Sequence, residues 1–229
     1  MIIMKKTPKL MDEVKYVKGD MNENAMIHDP YFNAQMSENI IDYIRIYSNV
    51  IDEKSCKKFC KKLDKSKLWT THAYYDTVKK ENVVYEDELE CIFDYGLEQE
   101  LVDFSKDLTD KLWHVLNCYI NTDIKLPWFN SWQGYSPIRY NRYNIKSKMR
   151  LHCDHITTIF DGERKGIPTL TILGRLNNDY EGGELVLMNN RICELKAGSV
   201  VIFPSIFLFP HLVRPVTKGR RYSFVSWVW

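Results

Sequence analysis

The sequence predicts a mainly β domain, a sandwich or a jelly roll, with helices that flank it in the first half of the chain. The main observation is a series of short segments after Pro127 that are rich in β-branched and aromatic residues. Turn-forming Gly, Asn and Asp residues separate these segments at fairly regular intervals. The clearest helical patterns lie before Pro127, so the order of elements does not fit alternating βαβ units.

Length and composition predict one soluble globular domain over residues 1–229. The hydrophobic fraction of 45% and the charged fraction of 27% are ordinary for such a domain. The formal net charge of +2 is nearly balanced, which disfavours a nucleic-acid or membrane partner. No long apolar run suggests a signal peptide or a transmembrane helix. Six scattered cysteines without a Cys-x-x-Cys pair predict reduced thiols and a cytoplasmic location.

The first half of the chain divides into two regions. Residues 1–39 are polar without a clear period and are expected to form an arm or a partner surface. Residues 40–126 are expected to form a helical support region. Within it, Ile40–Tyr47 predicts a first strand, and Asp52 is placed as the N-cap of a helix. The apolar residues of this helix recur at helical spacing and are Cys56, Phe59, Cys60 and Leu63.

A longer amphipathic helix is predicted from Leu97 to Tyr119. Its apolar residues recur every three or four positions, so they share one face, and we expect this face to pack against a sheet. Residues 70–90, between the two helices, lack a strong period. They are expected to hold a strand and a loop near the mouth of a site.

Residues 127–229 are expected to form the jelly-roll core. The predicted strands are 128–133, 137–143, 169–176, 184–188, 199–203 and 221–229. Gly182 and Gly183 are interpreted as a tight turn between two strands rather than a phosphate loop, because no helix follows them.

The segment Met149–His155 contains the first candidate metal ligands. On an extended strand His152 and Asp154 project to one face, while Cys153 and His155 project to the other. An imidazole and a carboxylate side by side are two thirds of a facial iron site. A lone His-x-Asp also occurs by chance, so a third ligand is needed.

His211 is the candidate third ligand. It lies 57 positions after Asp154, far enough for several strands to intervene and for a rolled sheet to return it to the first pair. Two imidazoles and one carboxylate leave three of six octahedral positions open, which suits Fe(II). A tetrahedral zinc or a cupin-type manganese site is the alternative.

Arg221 and Ser223 are the candidate anion-binding residues. Both lie on one face of the last predicted strand. A guanidinium can bind a carboxylate through two parallel hydrogen bonds, and the hydroxyl can add a third. The alternative is an arginine at a strand end that pairs with a surface glutamate.

The order of these residues resembles the 2-oxoglutarate and Fe(II)-dependent dioxygenases, and among them the prolyl 4-hydroxylase-like group. The resemblance covers about residues 127–229. The motifs that carry it are His152-x-Asp154, Glu181-Gly182-Gly183-Glu184, Phe203-Pro204-Ser205, His211 and Pro215 to Ser223.

The resemblance implies a double-stranded β-helix, the cupin-like jelly roll, buttressed by N-terminal helices. It implies that His152, Asp154 and His211 bind iron and that Arg221 pairs with the distal carboxylate of 2-oxoglutarate. Ser223 matches the serine of an Arg-x-Ser pattern that adds to this contact. Tyr143 matches a tyrosine whose hydroxyl contacts the cosubstrate, and Tyr140 competes for that role. Thr171 is a further candidate for the pocket.

The implied activity is hydroxylation of a C–H bond with release of succinate and CO₂. The cofactors would be Fe(II), 2-oxoglutarate and O₂, with ascorbate as a reductant. Prolyl residues of a peptide or protein are the first substrate class. A free amino acid, another small metabolite and a nucleic-acid demethylase substrate are alternatives, and a jelly-roll binding module is the non-enzyme alternative.

The remaining histidines and aromatic residues receive structural interpretations. His155 is interpreted as a structural residue or a neighbour of the ligands. The isolated His28, His72 and His114 are expected on a surface or a helix face. Four aromatic residues are expected to pack in the core, with a substrate groove as the alternative; they are Trp128, Trp132, Tyr135 and Tyr140.

Overall fold

A computed structural model of the chain describes residues 36–76, 79–93, 95–126, 129, 134–154, 168–188 and 190–229. In these ranges the α-helices are α1 (Glu53–Lys65) and α2 (Gln99–Cys118). A 3-10 helix spans Ile40–Tyr43, and a π-helical turn spans Tyr119–Ile124. The strands are β1 (Arg45–Tyr47), β2 (Thr70–Thr71), β3 (Tyr74–Asp76), β4 (Glu81–Val83), β5 (Glu90–Ile92), β6 (Arg139–Tyr143), β7 (Met149–His152), β8 (Leu170–Arg175), β9 (Tyr180–Gly182), β10 (Leu185–Leu187), β11 (Arg191–Cys193), β12 (Val200–Pro204), β13 (His211–Val213), β14 (Val216–Gly219) and β15 (Arg221–Val228).

Two antiparallel sheets form the body of the domain. The larger has seven strands in the order β1–β12–β8–β15–β6–β5–β2, and the smaller has four in the order β11–β10–β13–β7. Strands β9 and β14 form one two-stranded pair, and β3 and β4 form another. Neighbours in both sheets are distant in sequence, as a rolled double-sheet architecture requires. The predicted mainly β fold with flanking helices is confirmed.

The seven-stranded sheet separates two hydrophobic clusters. Strand β12 shows how: Val200 and Ile202 belong to the cluster on the helix side, whereas Val201 and Phe203 belong to the cluster between the sheets. This alternation follows from the two-residue period of a strand. Because both faces are covered, β15 is buried along its whole length. We call the face toward the smaller sheet the inner face.

Helix α1 begins as the sequence predicts. The Asp52 side chain accepts a hydrogen bond from the Ser55 backbone N–H at 2.8 Å, which satisfies one of the free donors of the first turn. The buried residues of α1 are Cys56, Phe59, Cys60 and Leu63. They join the cluster on the helix side of the large sheet.

Helix α2 packs against the same face of the large sheet. Its buried residues are Leu101, Ser105, Leu108, Leu112 and Leu116, the predicted apolar stripe with one serine. The Ser105 hydroxyl lies 2.7 Å from the Tyr140 hydroxyl on β6, so a polar contact also joins the helix to the sheet. The predicted role of this helix in supporting a sheet is confirmed.

Three details differ from the sequence predictions. The first half of the expected strand Ile40–Tyr47 is a 3-10 helix, which Asn39 caps by accepting from the Ile41 N–H. The expected helical support region 40–126 also contributes β1, β2 and β5 to the large sheet. Leu97 is 87% exposed and precedes the helix it was expected to begin. Contacts with residues that are distant in sequence determine these features, so local propensity cannot predict them.

Several predictions concern residues outside the described part of the chain. These are most of the arm 1–39, the strand 128–133 apart from Phe129, and the residues His28, Trp128, Trp132 and His155. In the described ranges, every helix is too short or too polar to cross a membrane. All six cysteines are free thiols.

Replacing Leu112 with alanine should destabilise the fold. Leu112 is fully buried between α2 and the large sheet. The truncation should lower the free energy of unfolding by about 2–5 kcal/mol, because it removes apolar contacts and leaves a cavity. Urea titration followed by circular dichroism measures this change. Lys106→Ala, on the exposed side of the same helix, is the control and should change it by less than about 0.5 kcal/mol. Equal effects would contradict the packing of α2.

Candidate active site

His152, Asp154 and His211 converge at one point between the two sheets. One potential ligand atom from each lies within 4.8 Å of the other two. The His152 Nε2 atom is 3.3 Å from Asp154 Oδ1, and the His211 Nε2 atom is 3.7 Å from Asp154 Oδ2. The sequence predicted this group across 57 positions, and the fold assembles it.

The pairing of β7 with β13 produces this convergence. His152 ends β7 and His211 begins β13, and the two are direct partners in the antiparallel register. Their ring centroids are therefore only 4.3 Å apart. Asp154 lies in the bend just after β7, and its side chain returns to the face of His152.

Backbone carbonyls orient both imidazole rings. The Nδ1 atom of His152 is 2.7 Å from the Arg150 carbonyl, and that of His211 is 3.3 Å from the Phe209 carbonyl. A carbonyl can only accept, so each Nδ1 carries the proton and donates it. In the neutral ring the Nε2 lone pair then faces the carboxylate. Fixing a ligand histidine through its other nitrogen is the usual arrangement at metal sites.

The Asp154 carboxylate is buried and ionised. Burial alone would raise the pKa of this carboxyl, but the adjacent His152 and His211 rings and the Thr171 hydroxyl hold it well below its usual range. The Thr171 hydroxyl donates to Asp154 Oδ2 at 2.7 Å and lies 2.9 Å from the Ser205 hydroxyl. Since Thr171 gives its only proton to Asp154, Ser205 donates to Thr171.

The His211 ring is neutral near pH 7. Burial lowers its pKa to about 4, although the nearby Asp154 charge opposes that shift. Two nitrogen lone pairs and a carboxylate that face one another are stabilised when a cation lies between them. The donor set of two imidazoles and one carboxylate fits Fe(II).

Arg221 forms a second polar group on the inner face. It is 1% exposed, begins β15 and donates from Nη1 to the Ser223 hydroxyl at 2.8 Å. Its Nε atom has no hydrogen-bond partner in the described part of the chain. A buried guanidinium with open donors is a receptor for an anion, because the charge is costly to leave without one.

Tyr143 and Tyr140 lie on opposite faces of β6. The Tyr143 ring is buried on the inner face, with the Arg221 Cζ atom 4.7 Å from its centroid. Burial raises the pKa of the Tyr143 hydroxyl, which keeps it a neutral donor. Tyr140 belongs to the helix-side cluster and contacts Ser105, as the packing interpretation expected. Tyr143 is thus the tyrosine near the predicted anion-binding residues.

His72 differs from its prediction as an isolated surface or helix-face residue. It lies between β2 and β3, its side chain is 12% exposed, and its Nδ1 atom is 3.5 Å from Glu88 Oε2. Burial lowers its pKa to about 3, with further contributions from the Arg139 and His152 charges. Glu88 forms an ion pair with Arg150, 62 positions away, and no local pattern could indicate that contact. His114 is exposed on α2, as expected.

Residues 70–90 contact the strand that carries the first ligand. The Tyr74 hydroxyl donates to the Met149 sulfur at 2.7 Å and accepts from the Arg150 N–H at 3.2 Å. Both partners lie on β7, three and two positions before His152. Tyr74 therefore lies beside this strand, and the expected loop of residues 70–90 near the mouth of the site stays a prediction.

The comparison with family models identifies the second half of the chain. Residues 138–229 match the model of the 2OG-Fe(II) oxygenase superfamily. This segment, less than half of the chain, is similar to that superfamily. The predicted resemblance is confirmed, and the family implies Fe(II), 2-oxoglutarate and O₂. The His152, Asp154 and His211 donor set fits the iron of this oxygenase domain.

Curated relatives are similar over part of the chain. A PKHD-type hydroxylase of Thermosynechococcus vestitus is 36% identical over 96 residues, 40% of this chain and 42% of the relative. A PKHD-type hydroxylase of Shewanella oneidensis is 37% identical over 100 residues, 42% of this chain and 43% of the relative. The matched segment thus spans less than half the length of either relative.

Solved structures share the fold of most of this chain. A prolyl hydroxylase of Trichoplax adhaerens, solved with a hypoxia-inducible-factor peptide, has a TM-score of 0.59 and 16% identity over 82% of this chain and 84% of that one. A prolyl-4-hydroxylase of Pseudomonas putida has a TM-score of 0.55 and 16% identity over 81% and 91%. The predicted jelly-roll fold is confirmed.

Thr171→Val should weaken metal binding without unfolding the protein. The change keeps the shape of the side chain but removes the hydroxyl that holds Asp154 Oδ2. Loss of such a supporting contact typically costs about 10–100-fold in metal affinity. Titration of the metal-free protein with Fe(II) under anaerobic conditions measures it.

Thr169→Val is the matched control for this prediction. The Thr169 hydroxyl donates to the Val228 carbonyl and has no hydrogen bond to Asp154 among the described contacts. Its metal affinity should equal that of the unchanged protein. An unaltered affinity in Thr171→Val would show that Asp154 needs no support from this hydroxyl.

Proposed function

We propose that this protein is an Fe(II)- and 2-oxoglutarate-dependent dioxygenase that hydroxylates a C–H bond and releases succinate and CO₂. The observation that carries the proposal is the convergence of His152, Asp154 and His211, with the buried Arg221 on the inner face of the same domain. The match of residues 138–229 to the oxygenase superfamily supports it.

His152 and His211 would hold iron through their Nε2 atoms, and Asp154 through a carboxylate oxygen. Bound iron supplies the redox chemistry by which O₂ decarboxylates 2-oxoglutarate oxidatively and inserts one oxygen atom into a C–H bond. The protein contributes fixed ligand positions. The Arg150 and Phe209 carbonyls keep the proton on Nδ1 of each ring, and Thr171 keeps the carboxylate oriented.

Arg221 would bind the distal carboxylate of 2-oxoglutarate, with help from Ser223 and Tyr143. The hydrogen bond from Arg221 to Ser223 and the position of the guanidinium against the Tyr143 ring restrict its motion before any ligand arrives. A preorganised guanidinium loses little freedom when it forms two parallel hydrogen bonds with a carboxylate.

For the substrate, we propose a prolyl residue of a peptide or protein, or a small molecule of the amino-acid class. The prolyl hydroxylases among the structures with this fold favour the first. Ascorbate as a reductant belongs to the same proposal. The free thiols of all six cysteines agree with a reducing compartment, and we place the protein in the cytoplasm. The catalytic core is residues 127–229, supported by residues 40–126.

His152→Ala and Asp154→Ala should each abolish succinate release. Each change removes one of three ligands and leaves iron too weakly held to react. Succinate is measured after incubation with Fe(II), 2-oxoglutarate, O₂ and candidate substrates, and His114→Ala serves as an exposed histidine control. The visible absorbance that Fe(II) and 2-oxoglutarate develop together without O₂ should disappear in both variants. Turnover in an iron-loaded His152→Ala protein would refute the ligand assignment.

Arg221→Ala should raise the 2-oxoglutarate requirement far more than the iron requirement. Hydrogen bonds to a charged partner contribute about 1.5–3 kcal/mol, so the half-saturating concentration should rise by about one to two orders of magnitude. Arg220→Ala is the neighbouring control, since Arg220 points to Asp64 on α1. Equal changes in the two requirements would exclude the assigned role.

A further inference from the structure

A second arginine, Arg139, is buried without an anionic partner. It is 8% exposed, and its Nε atom has no hydrogen-bond partner among the described residues. In the same part of the chain, no aspartate or glutamate lies within ion-pair distance of it. Two buried or half-buried glutamates have other partners: Glu90 pairs with Arg142, and Glu88 pairs with Arg150 through Oε1, while its Oε2 lies 3.5 Å from His72 Nδ1.

Arg139 lies on the inner face, away from Arg221. It is the partner of Val225 in the β6–β15 register, whereas Arg221 is the partner of Tyr143. Four residues along β15 separate the two levels, which corresponds to about 13 Å of extended strand. The Arg139 guanidinium lies against the Trp227 ring and that of Arg221 against the Tyr143 ring, so the two occupy different places on the inner face.

The metal residues lie near the end of the inner face that Arg139 occupies. The Arg139 Cζ atom is 5.0 Å from the centroid of the Trp227 ring. Trp227 is the register partner of Thr171 on β8, and Thr171 donates to Asp154. A continuous set of neighbours thus connects Arg139 to the candidate iron site.

Phe93 is the solvent-exposed neighbour of Arg139. The Arg139 Cζ atom is 5.5 Å from the Phe93 ring centroid, and the Phe93 side chain is 57% exposed. The guanidinium thus lies between a buried indole and a phenyl ring at the surface.

Stacking on two rings does not satisfy the Arg139 guanidinium. Attraction to an aromatic face leaves the N–H groups at the edge of the guanidinium plane free, and there are five of them. The Trp227 Nε1–H is a second buried donor without a partner in the described residues. Asn141 Oδ1, two positions along the same face of β6, is a buried acceptor that does not pair with either donor. Two unpaired donors beside each other can therefore receive an oxyanion.

We propose that Arg139, with the Trp227 indole N–H, binds a carboxylate of the substrate at the entrance to the metal centre. That the ligand is a substrate depends on the proposed function, whereas the carboxylate site itself does not. The Arg139 site selects a compound whose target C–H bond lies close to a carboxylate. Such a carboxylate is either the α-carboxylate of a free amino acid or an acidic side chain next to the target residue of a peptide.

The test uses the full chain with Fe(II) and saturating 2-oxoglutarate without O₂, so that Arg221 is engaged and no turnover occurs. Isothermal titration then compares L-proline with L-prolinamide, which has the same ring without the carboxylate. A second pair compares a prolyl peptide with blocked ends and an adjacent aspartate with the same peptide carrying asparagine. We expect at least one acidic compound to bind at least tenfold more tightly than its amide, and Arg139→Met to remove that difference.

The two pairs distinguish the sources of the carboxylate. Tighter binding of L-proline indicates a free amino acid, and tighter binding of the aspartyl peptide indicates a peptide. Equal affinity of acid and amide in both pairs would overturn the inference, and so would a preference that persists in Arg139→Met. Titration of the Fe(II)-loaded protein with 2-oxoglutarate, carried out before the substrate titration, reveals separately whether the proposed function fails.

The stability of the Arg139→Met protein is a second measurement. It distinguishes a ligand-binding arginine from one that has a purely structural role. An arginine without an internal partner can be replaced by methionine with a neutral or favourable effect, whereas breaking an existing ion pair destabilises the fold. Arg139→Met should therefore keep or raise the urea midpoint of the ligand-free protein. Arg142→Met, which breaks the Glu90 pair on the same strand, should lower it. A fall in Arg139→Met as large as that in Arg142→Met would also overturn the inference.

Discussion

The site depends on the antiparallel register between β7 and β13. His152 and His211 are direct partners in that pairing, although His211 lies 59 positions after His152 in the sequence. A slip of one residue would turn His211 to the opposite face, because side chains alternate along a strand. The register shifts between His211 and Val213, and such an irregularity can re-aim a side chain next to a site. The remaining features, such as the carbonyl contacts of the rings, only refine what this pairing establishes.

The apolar side of the large sheet stabilises the fold, although the inner face holds polar groups. Its helix side is covered by α1 and α2 with a continuous apolar cluster, which contains most of the buried hydrophobic area. The inner face can therefore hold Asp154, Arg139 and Arg221 without loss of the fold. Tyr140 and Tyr143 illustrate the division, since three positions along β6 separate a tyrosine that contacts α2 from one that contacts Arg221.

The sequence predicted the ligands and the later strands better than the first half of the chain. His152, Asp154 and His211 carried a recognisable order, and strands such as β8, β12 and β15 carried apolar runs with clear turns. The 3-10 helix at Ile40–Tyr43 and the burial of His72 beside Glu88 depend on distant partners, so local patterns could not predict them. Arg139 was not predicted because an arginine in a strand that also contains Asn141 and Arg142 gives no signal until its missing partner is known.

The charges on the inner face favour the binding of a further carboxylate in addition to 2-oxoglutarate. Among the described residues, Asp154 carries one negative charge and Arg139, Arg175 and Arg221 carry three positive charges, while Glu88 pairs with Arg150. A divalent iron raises the excess from two to four positive charges, and the dianion 2-oxoglutarate reduces it to two. Buried charge without compensation is costly, so binding of one further monoanion near Arg139 is favoured over a neutral ligand of the same shape. The charge of the described residues thus supports the proposed substrate carboxylate, in addition to the unpaired donors of Arg139 and Trp227.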